Sequence, residues 1–547
     1  MVEIAKTEFY WNKSHKRPFN LSKMKQLFLI ITLFFCGIVN AQQDKDTKLQ
    51  AAEIEKKFQA ENYEEALEDY LQLLVSDPKN ELFNYNVGVC YLNTNINKAK
   101  AVPYLEIVTR KEKHNYNADF LLGRAYQYAN RFDDAIASFA NFKIIGKGSE
   151  KNIKDIETEI QHCINAKEII KFPVDVTFQS LGKNVINSEF ADYYPFIPEN
   201  EGYIVFNSKR PADKVAIKQE NGQYLNCIYI SKVINGQFTP AEVLGEPICK
   251  GNTGDEVIGM NAKGDILLIC KPDYKGAKKI YITKMNPSGA FSKPELLPTA
   301  INGEGDEIAA CISNDGNSIY FASDRSGGFG GTDIYVCRKV LASGKWVEPK
   351  NMGPNINTAL DEDFPNISPD GKTLFFSSKG HSSMGGYDIF KATWDESILS
   401  FVNAKNLGYP VNTSYDDMNF RISKSGRYGY IASARGGGAG DFDIYRITFN
   451  EVELDYTVVI GDIRAKDSIQ EIIYREVFIT VNDNITGELV GNYICNPANG
   501  RSVMILPPGK YVINVEAPGF KNYIKPIEIY DKVSYQSEKS FLIELKK

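Results

Sequence analysis

Between residues 50 and 145, small and large apolar positions recur with the spacing of paired helices. Small residues repeat at intervals of 34 or 35 residues, at Gly88 and Gly123 and at Ala66, Ala101 and Ala135. A large side chain, Tyr70, Leu105 or Phe139, follows each of these alanines by four residues. Small residues at helix crossings, with aromatic or branched residues one turn later, suit antiparallel helix packing. The pattern predicts an α-helical solenoid over 42–170, closed by a capping helix from Glu150 to Ile170.

From about residue 172 to 449 the pattern changes to short apolar runs around Asp-Gly turns, a strong hairpin signal. The clearest units repeat every 55 residues, as shown by the turn glycines Gly316, Gly371 and Gly426. Two weaker copies precede them. Each unit carries three strand-like runs and a connecting run, and such a four-stranded unit repeated around an axis forms a β-propeller. We predict a propeller over 171–450 with five blades, and six blades as the alternative.

The two ends of the propeller region are expected to meet. The last unit has no outer strand of its own after Phe449, whereas Val174–Phe178 precedes the first unit and can supply one. Beyond residue 450, strand-like runs alternate with Gly/Pro turns. This alternation predicts a small antiparallel β-sandwich over 451–547.

Three sets of motifs resemble known families. The helical repeats are similar to tetratricopeptide repeats, and the SerProAspGly turn at 368–371 with the GlyGlyxAspIle motifs resembles the WD-like propellers of the TolB type. The LeuProProGlyxTyr run at 506–511 and the AlaProGlyPhe turn at 517–520 resemble a carboxypeptidase regulatory-like domain, a family of non-catalytic modules. Their order resembles envelope proteins of gliding bacteria with type IX secretion.

Those envelope proteins commonly end in a peptidoglycan-binding OmpA-type domain. This sequence stops at Lys547, directly after the predicted sandwich. We therefore expect partners among other envelope proteins, such as secretion, motility or outer-membrane components, rather than direct peptidoglycan binding.

The N-terminal segment has the layout of a secretory signal peptide. Met24 and Lys25 precede an apolar run from Leu27 to Val39, which is too short to span a bilayer. We predict a signal peptide over 1–41, with Met24 as an alternative start and cleavage between Ala41 and Gln42. The expected location is the periplasm, with peripheral association to the outer membrane as a further option.

The amino-acid composition limits which kinds of functional site are expected. A net charge of −6 over 547 residues gives no basic footprint for nucleic acid. Only four histidines are available for zinc sites or histidine catalysis. Eight cysteines follow the signal peptide, without a CxxC pair, and we interpret them as single buried thiols. No cofactor or metal is predicted.

The sequence contains no HExxH, GxSxG or GxxxxGK[ST] motif. Acidic residues recur once per unit, at Asp306–Glu307, Asp361–Asp363 and Asp416–Asp417. A catalytic pair is needed once, so this repetition favours a structural role over acid/base chemistry or a Ca²⁺ site. We therefore predict a protein without enzymatic activity.

The helical repeats offer a concave surface on which aromatic and arginine side chains serve as contact anchors. By repeat register the inner side carries Tyr85, Asn93, Arg124 and Tyr128. The alternative is that the tyrosines pack between helices. The sequence predicts a periplasmic scaffold that binds other envelope proteins through this groove; the alternative function is a propeller that binds a small molecule or glycan.

Overall fold

A computed structural model describes residues 51–145, 150–213, 216–234, 237–249, 253–272, 278–303, 305–452, 456–466, 472–484, 486–529 and 538–547. The predicted signal peptide and its cleavage site at Ala41 and Gln42 lie outside these residues. The chain divides between Asn62 and Tyr63 into two units, and the first is described only by a helical segment at 51–59. None of the described helices is long and apolar enough to cross a membrane.

The second unit begins with a helical part. Its described helices are α1 (Tyr63–Ser76), α2 (Glu81–Asn93), α3 (Ala101–Thr109), α4 (Asn117–Tyr128), α5 (Phe132–Ile145) and α6 (Glu150–Ile169). The glycines of the repeat allow close packing of neighbouring helices. A Cβ atom added to Gly88 would lie 2.6 Å from the Leu105 side chain, and one on Gly123 would lie 2.6 Å from the Phe139 ring. The repeated small residues therefore mark helix contacts, as the spacing predicts.

An all-β region of antiparallel sheets follows, which confirms the predicted order of a helical part and then strands. The first sheet contains β2 (Asp192–Phe196), β3 (Tyr203–Ser208), β4 (Cys227–Ile234), β5 (Gln237–Phe238) and β6 (Glu242–Val243). The second contains β7 (Glu256–Met260), β8 (Ile266–Pro272), β9 (Lys278–Lys284) and β10 (Glu295–Leu296). The third contains β11 (Glu307–Ile312), β12 (Ser318–Ser323), β13 (Asp333–Arg338) and β14 (Lys350–Asn351).

Two further sheets complete this region. The fourth contains β15 (Glu362–Ile367), β16 (Thr373–Ser378), β17 (Asp388–Asp395) and β18 (Ser400–Asn406). The fifth contains β19 (Asp417–Ile422), β20 (Tyr428–Ser433), β21 (Asp443–Phe449) and the early strand β1 (Val176–Ser180). β1 pairs antiparallel with β21, so that Val176 lies opposite Phe449. This is the partner that the sequence predicts for the run at 174–178.

The first strands of these sheets contact one another in a cycle. β2 contacts β7, β7 contacts β11, β11 contacts β15, β15 contacts β19, and β19 returns to β2. A register shift interrupts the pairing of each first strand with the second strand of its sheet. At two of these shifts Tyr194 and Phe364 adopt left-handed φ angles of 53° and 49°, and their rings lie 4.6 Å apart. Aromatic side chains thus pack between first strands of different sheets.

The C-terminal strands form two facing sheets. One has the order β25 (Arg501–Leu506), β22 (Thr457–Ala465), β28 (Glu538–Leu545). The other has the order β24 (Leu489–Ile494), β23 (Phe478–Asp483), β26 (Gly509–Glu516), β27 (Tyr523–Ile529). Their shared core includes Val459, Ile479, Met504, Ile513 and Ile543.

The expectation of a purely antiparallel sandwich is wrong at one pair. β22 and β28 run parallel, with Val458 opposite Glu538 and Ala465 opposite Leu545. The reason is topological, because β28 follows a strand of the other sheet and returns to the edge of β22 in the same direction. Turn signals between neighbouring runs do not report such a long-range pairing.

Candidate functional site

The acidic residues that recur at the start of the sheets form hydrogen bonds within the protein. In the third sheet, Arg325 Nη2 donates to Glu307 Oε1 at 2.9 Å, and Ser323 Oγ donates to the same oxygen at 3.1 Å. In the fifth sheet, Arg435 Nη2 donates to Asp417 Oδ1 at 3.0 Å. Both guanidinium groups also donate to backbone carbonyls of the segment that enters their sheet. These carboxylates therefore join a first strand to the connection before it.

A second set of repeated aspartates joins neighbouring sheets. The Thr332 backbone N–H donates to Asp361 Oδ1 at 3.2 Å, and the Tyr387 backbone N–H donates to Asp416 Oδ1 at 2.9 Å. The GlyGlyxAspIle motif makes room for this approach, since a Cβ atom on Gly386 would collide with the Asp416 carboxylate. The glycine motif and the acidic motif of the next unit are thus two halves of one contact.

Asp363 has a different environment from the other repeated acids. Its residue is 2% exposed, and its Oδ1 accepts a hydrogen bond from the Phe364 backbone N–H at 2.7 Å. Burial raises the pKa of Asp363 to about 7, and the nearby carboxylate of Asp361 adds to the rise. This side chain therefore titrates near neutral pH, where an ordinary aspartate is fully ionised.

Two of the predicted groove residues meet in the structure. Arg124 Nη2 donates to Tyr128 Oη at 2.6 Å, and Arg124 Nη1 donates to Glu159 Oε1 at 3.0 Å. The Tyr128 ring lies 4.9 Å from the ring of Tyr415, which precedes β19. This part of the helical surface is therefore in contact with the fifth sheet.

Helix α6 contacts the loop between β16 and β17. His162 Nε2 lies 2.9 Å from the Lys379 carbonyl oxygen, and Asn165 Nδ2 donates to the Ser383 carbonyl at 2.9 Å. On the same helix, burial opposes ionisation of Glu159, but Arg124 and His162 hold its pKa below the usual value. The helical part is thus fixed to the fourth sheet by hydrogen bonds as well as to the fifth sheet by aromatic packing.

A lysine completes this contact. Lys98 lies between α2 and α3, and its Nζ donates to two backbone carbonyls at the end of α2. Burial lowers the pKa of Lys98 to about 8, although the carboxylates of Asp416 and Asp441 favour its charged form. Asn95 Nδ2 donates to Asp441, which lies between β20 and β21. We call the contact of Asn95, Lys98, Tyr128, His162 and Asn165 with the fourth and fifth sheets the helix–sheet contact.

The other two predicted groove residues lie elsewhere on α2. Tyr85 is half-buried; burial raises the pKa of Tyr85, and a hydrogen bond with Asn115 opposes the rise. Asn93 is exposed, and its Nδ2 donates to the Val89 carbonyl of its own helix at 2.8 Å. The binding of a partner by these four residues stays a prediction.

Sequence reasoning missed most of the helix–sheet contact. Glu159, His162 and Asn165 are spaced by three residues and therefore share one face of α6. Polar residues at this spacing on a helix assigned as a cap were a signal that the face has a partner. Nothing in the repeat pattern identified Tyr415 as the opposing residue.

The C-terminal sandwich carries an exposed apolar surface. Phe478 and Ile494 lie opposite each other on β23 and β24, and they are 64% and 77% exposed. Val503 and Ile505 on β25 are also exposed, and Tyr493 Oη donates to the Ile505 carbonyl at 3.4 Å, which links β24 to β25. We call Phe478, Ile494, Val503 and Ile505 the apolar strip.

No family model and no curated protein matches this chain. Solved structures do match it. TolB from Acinetobacter baumannii is 15% identical, with a TM-score of 0.29 over 49% of this chain and 57% of its own chain, so this chain spans less than two thirds of that protein. An α-L-arabinofuranosidase from Podospora anserina is 14% identical, with a TM-score of 0.33, over 51% of this chain and 99% of its own. The periplasmic gluconolactonase of Pseudomonas aeruginosa is 10% identical, with a TM-score of 0.26, over 61% of this chain and 85% of its own.

The prediction that this chain is not an enzyme is wrong. The solved structures that match it include two α-L-arabinofuranosidases, a β-xylosidase/α-arabinofuranosidase and a gluconolactonase. The prediction relied on missing local motifs, and these do not decide activity, because function resides in sites assembled in space on a fold. Among the described residues, no group of three or more His, Cys, Asp and Glu side chains is placed to hold a metal ion.

Proposed function

We propose that this chain is a scaffold that binds other proteins of the bacterial cell envelope. In this proposal a signal peptide (1–41) precedes a tetratricopeptide-repeat domain (42–170), a TolB-type propeller (171–450) and a carboxypeptidase regulatory-like sandwich (451–547). The observation that carries the proposal is the apolar strip on the sandwich, whose large apolar side chains are exposed on β23 and on the contacting strands β24 and β25. Exposed apolar surface of this kind typically marks a site of protein contact.

The geometry of the apolar strip suits a protein partner. Phe478 and Ile494 are a cross-strand pair, and Val503 and Ile505 alternate with the buried Ser502, Met504 and Leu506 along β25. The four side chains therefore project from strand faces rather than from loops. Such a surface can bury aromatic and branched side chains at the centre of an interface, where contact energy concentrates.

Five propeller blades are favoured over six by the cyclic contacts of the five first strands. The pairing of β1 with β21 supports the same number, because a strand from before the first sheet completes the last one. Closure of this kind leaves no long free sheet edge. In the proposal the propeller is a rigid support that holds the helical part and the sandwich in one molecule.

The helical part contributes a second, smaller binding surface in this proposal. Arg124 and Tyr128 already contact Glu159 and Tyr415, so they anchor the helices to the sheets. Tyr85 and Asn93 on α2 lie outside that contact and remain the candidates for a partner.

The predicted signal peptide supports a location in the periplasm. Peripheral association with the outer membrane would follow from binding an outer-membrane protein through the apolar strip. The resemblance of the module order to envelope proteins of gliding bacteria suggests secretion or motility components as partners.

Crosslinking and co-purification from envelopes test the proposal. A variant with Ile494→Glu and Ile505→Glu is expected to lose its protein partners, because charges at both positions would be buried without counter-charges. Ile524→Glu is the matched control, since Ile524 is 65% exposed on β27 outside the strip. Retention of every partner by the double variant, with normal thermal melting, would overturn the role of the strip.

A second candidate function is the binding of a small molecule or glycan. A cleft of about 530 Å³ lies between the third and fourth sheets and is lined by Trp394, Tyr320, Arg338 and Glu348, among others. Aromatic faces and charged groups together suit sugar rings, which offer both apolar faces and hydroxyl groups. A bound glycan without protein partners, lost on Trp394→Ala, would favour this function over the scaffold.

A further inference from the structure

Four of the five sheets of the propeller region share an asparagine clamp on the third strand. In the third sheet, Asn357 Oδ1 accepts from the Ile334 backbone N–H at 2.8 Å, and its Nδ2 donates to the Ile334 carbonyl at 2.9 Å. The same two hydrogen bonds recur in the second, fourth and fifth sheets, between Asn302 and Ile280, Asn412 and Ile389, and Asn187 and Ile444. The clamp ties each sheet to the segment that follows it or, in the fifth sheet, to the segment that closes the cycle.

The first sheet has the same backbone at this place and a different side chain. The backbone N–H groups of Ile248 and Cys249 both donate to the Gly245 carbonyl at 3.0 Å. Those of Ile356 and Asn357 donate in the same way to the Gly353 carbonyl. Cys249 therefore occupies the position of the clamp asparagine.

The residue opposite is also a cysteine. Cys227 precedes Ile228 at the start of β4, as Asp333 precedes Ile334 at the start of β13. The Sγ atoms of Cys227 and Cys249 lie 3.1 Å apart, and the two residues are 0% and 1% exposed. A thiol cannot reproduce the paired donor and acceptor of an amide, so the first sheet lacks the clamp but brings two sulfur atoms together.

We propose that Cys227 and Cys249 form a disulfide bond that replaces the asparagine clamp of the first sheet. The oxidant is a disulfide-bearing protein or small molecule. A thiolate from one cysteine attacks the oxidant to give a mixed disulfide, and the other thiolate displaces the reduced oxidant. The two cysteines together lose two electrons and two protons, and the oxidant becomes two thiols.

The bond closes a loop that contains β4, β5 and β6. In the unfolded chain this link would restrict the loop, which is a principal source of disulfide stabilisation. Because both sulfur atoms are buried in the folded state, reductants reach them only after local opening. The proposal departs from the interpretation of all eight cysteines as single thiols.

Formation of the disulfide bond in cells depends on the proposed periplasmic location. The close approach of the two sulfur atoms does not depend on it. Two preparations of the full chain separate these points. One is isolated from whole cells with free thiols alkylated at lysis, and the other is refolded in oxidised and reduced glutathione. Peptide mapping after denaturing alkylation is expected to find Cys227 and Cys249 joined in both, and reduction to add two hydrogen masses.

Each outcome decides one point. A bond after refolding but free thiols in the cellular sample would support the pair and overturn the location. Alkylation of both Cys227 and Cys249 in the refolded sample would overturn the pair itself. A bond that joins either residue to another cysteine would also overturn it.

Three variants test whether the bond replaces the clamp. Cys249→Ser removes the bond, and it is expected to melt several degrees lower and to ignore reductant. Cys249→Asn restores the residue of the other sheets, so it is expected to ignore reductant but to melt above the serine variant. Cys270→Ser is the control, because Cys270 occupies the place of Ser323 and Ser378 in neighbouring sheets and should leave the reductant response unchanged. Equal melting of the wild type with and without reductant would contradict a stabilising bond.

Discussion

Tyr128 and Tyr415 pack ring against ring, with centroids 4.9 Å apart, although the two residues are 287 positions apart in the sequence. This pair lies in the helix–sheet contact, where α4 and α6 meet the fourth and fifth sheets. The contact explains how a helical part with its own packing becomes joined to the region of antiparallel sheets. It also places two of the predicted binding residues, Arg124 and Tyr128, in an internal contact.

The Tyr128–Tyr415 pair is expected to show a measurable coupling energy. A double-mutant cycle of Tyr128→Ala and Tyr415→Ala in the full chain should give about 0.5–1.5 kcal/mol in the free energy of unfolding, typical of aromatic pairs. A cycle of Tyr85→Ala with Tyr415→Ala is the control and should be additive, because Tyr85 contacts Asn115 instead. Additivity in both cycles would contradict the packing.

Gly123→Ala is expected to destabilise the helical repeats. The added Cβ would lie 2.6 Å from the Phe139 ring, so α4 and α5 must separate or the ring must leave its position. Overpacking of this kind costs about 1–3 kcal/mol, measurable by urea unfolding. Gly436→Ala is the matched control, since no atom lies within 4 Å of its added Cβ. Equal stability of the two variants would show that the helix crossing is not tight.

The repeats could be predicted from the sequence because each copy of a structural unit needs the same residue types at the same positions. Glycine, alanine and aspartate recur wherever a helix crossing or a turn needs them, so periods of 35 and 55 residues reveal helices, strands and closing strand β1. The helix–sheet contact occurs once, so no repeat marks it. His162 and Tyr415 contact surfaces far away in sequence, and their pairing depends on the relative placement of two folded parts.

The properties of individual side chains were harder to predict than the fold, because they too depend on contacts between parts of the chain that are distant in sequence. The repeated acids Glu307 and Asp417 were interpreted as structural, and in the fold they bind Arg325 and Arg435. Asp363 shares that sequence motif, yet its burial gives it a pKa of about 7. A motif specifies residue types, whereas burial depends on what the rest of the chain packs around each copy.

Asp363→Asn is expected to stabilise the protein above pH 7. The folded state binds a proton at Asp363 more tightly than the unfolded state, so this group stabilises the fold at low pH and loses that contribution as the pH rises through 7. An asparagine does not ionise, and the variant should gain roughly 1–4 kcal/mol at pH 8 and little at pH 4. Thermal melting across this range measures the difference.

Asp370→Asn is the control, because its stability is expected to change with pH in the opposite direction. Hydrogen bonds from Ser368 and the Lys372 backbone hold the pKa of Asp370 below its usual value, so its contribution is present at neutral pH and lost in acid. This variant should be slightly less stable than the wild type at pH 7 and equal to it at low pH. The same pH trend in both variants would contradict the assignment of Asp363.

Arg435→Gln is expected to open the fifth sheet. Arg435 donates to Asp417, stacks over the Phe178 ring of β1 at 3.8 Å, and donates to the carbonyls of Pro410 and Val411. Its loss would leave the fully buried Asp417 carboxylate without its counter-charge, which costs about 3–5 kcal/mol when a buried pair is broken. Urea unfolding of the full chain, followed by hydrogen exchange in β1 and β21, measures the effect.

Two companions make this test specific to the buried ion pair. Adding Asp417→Asn to Arg435→Gln should recover part of the lost stability, because it removes the uncompensated charge. Arg446→Gln should cost far less, since Arg446 is half-exposed and its Nη2 donates to the neutral amide oxygen of Gln179. Wild-type unfolding and exchange rates in Arg435→Gln would mean that neither the ion pair nor the stacked Phe178 ring holds β1 in the fifth sheet.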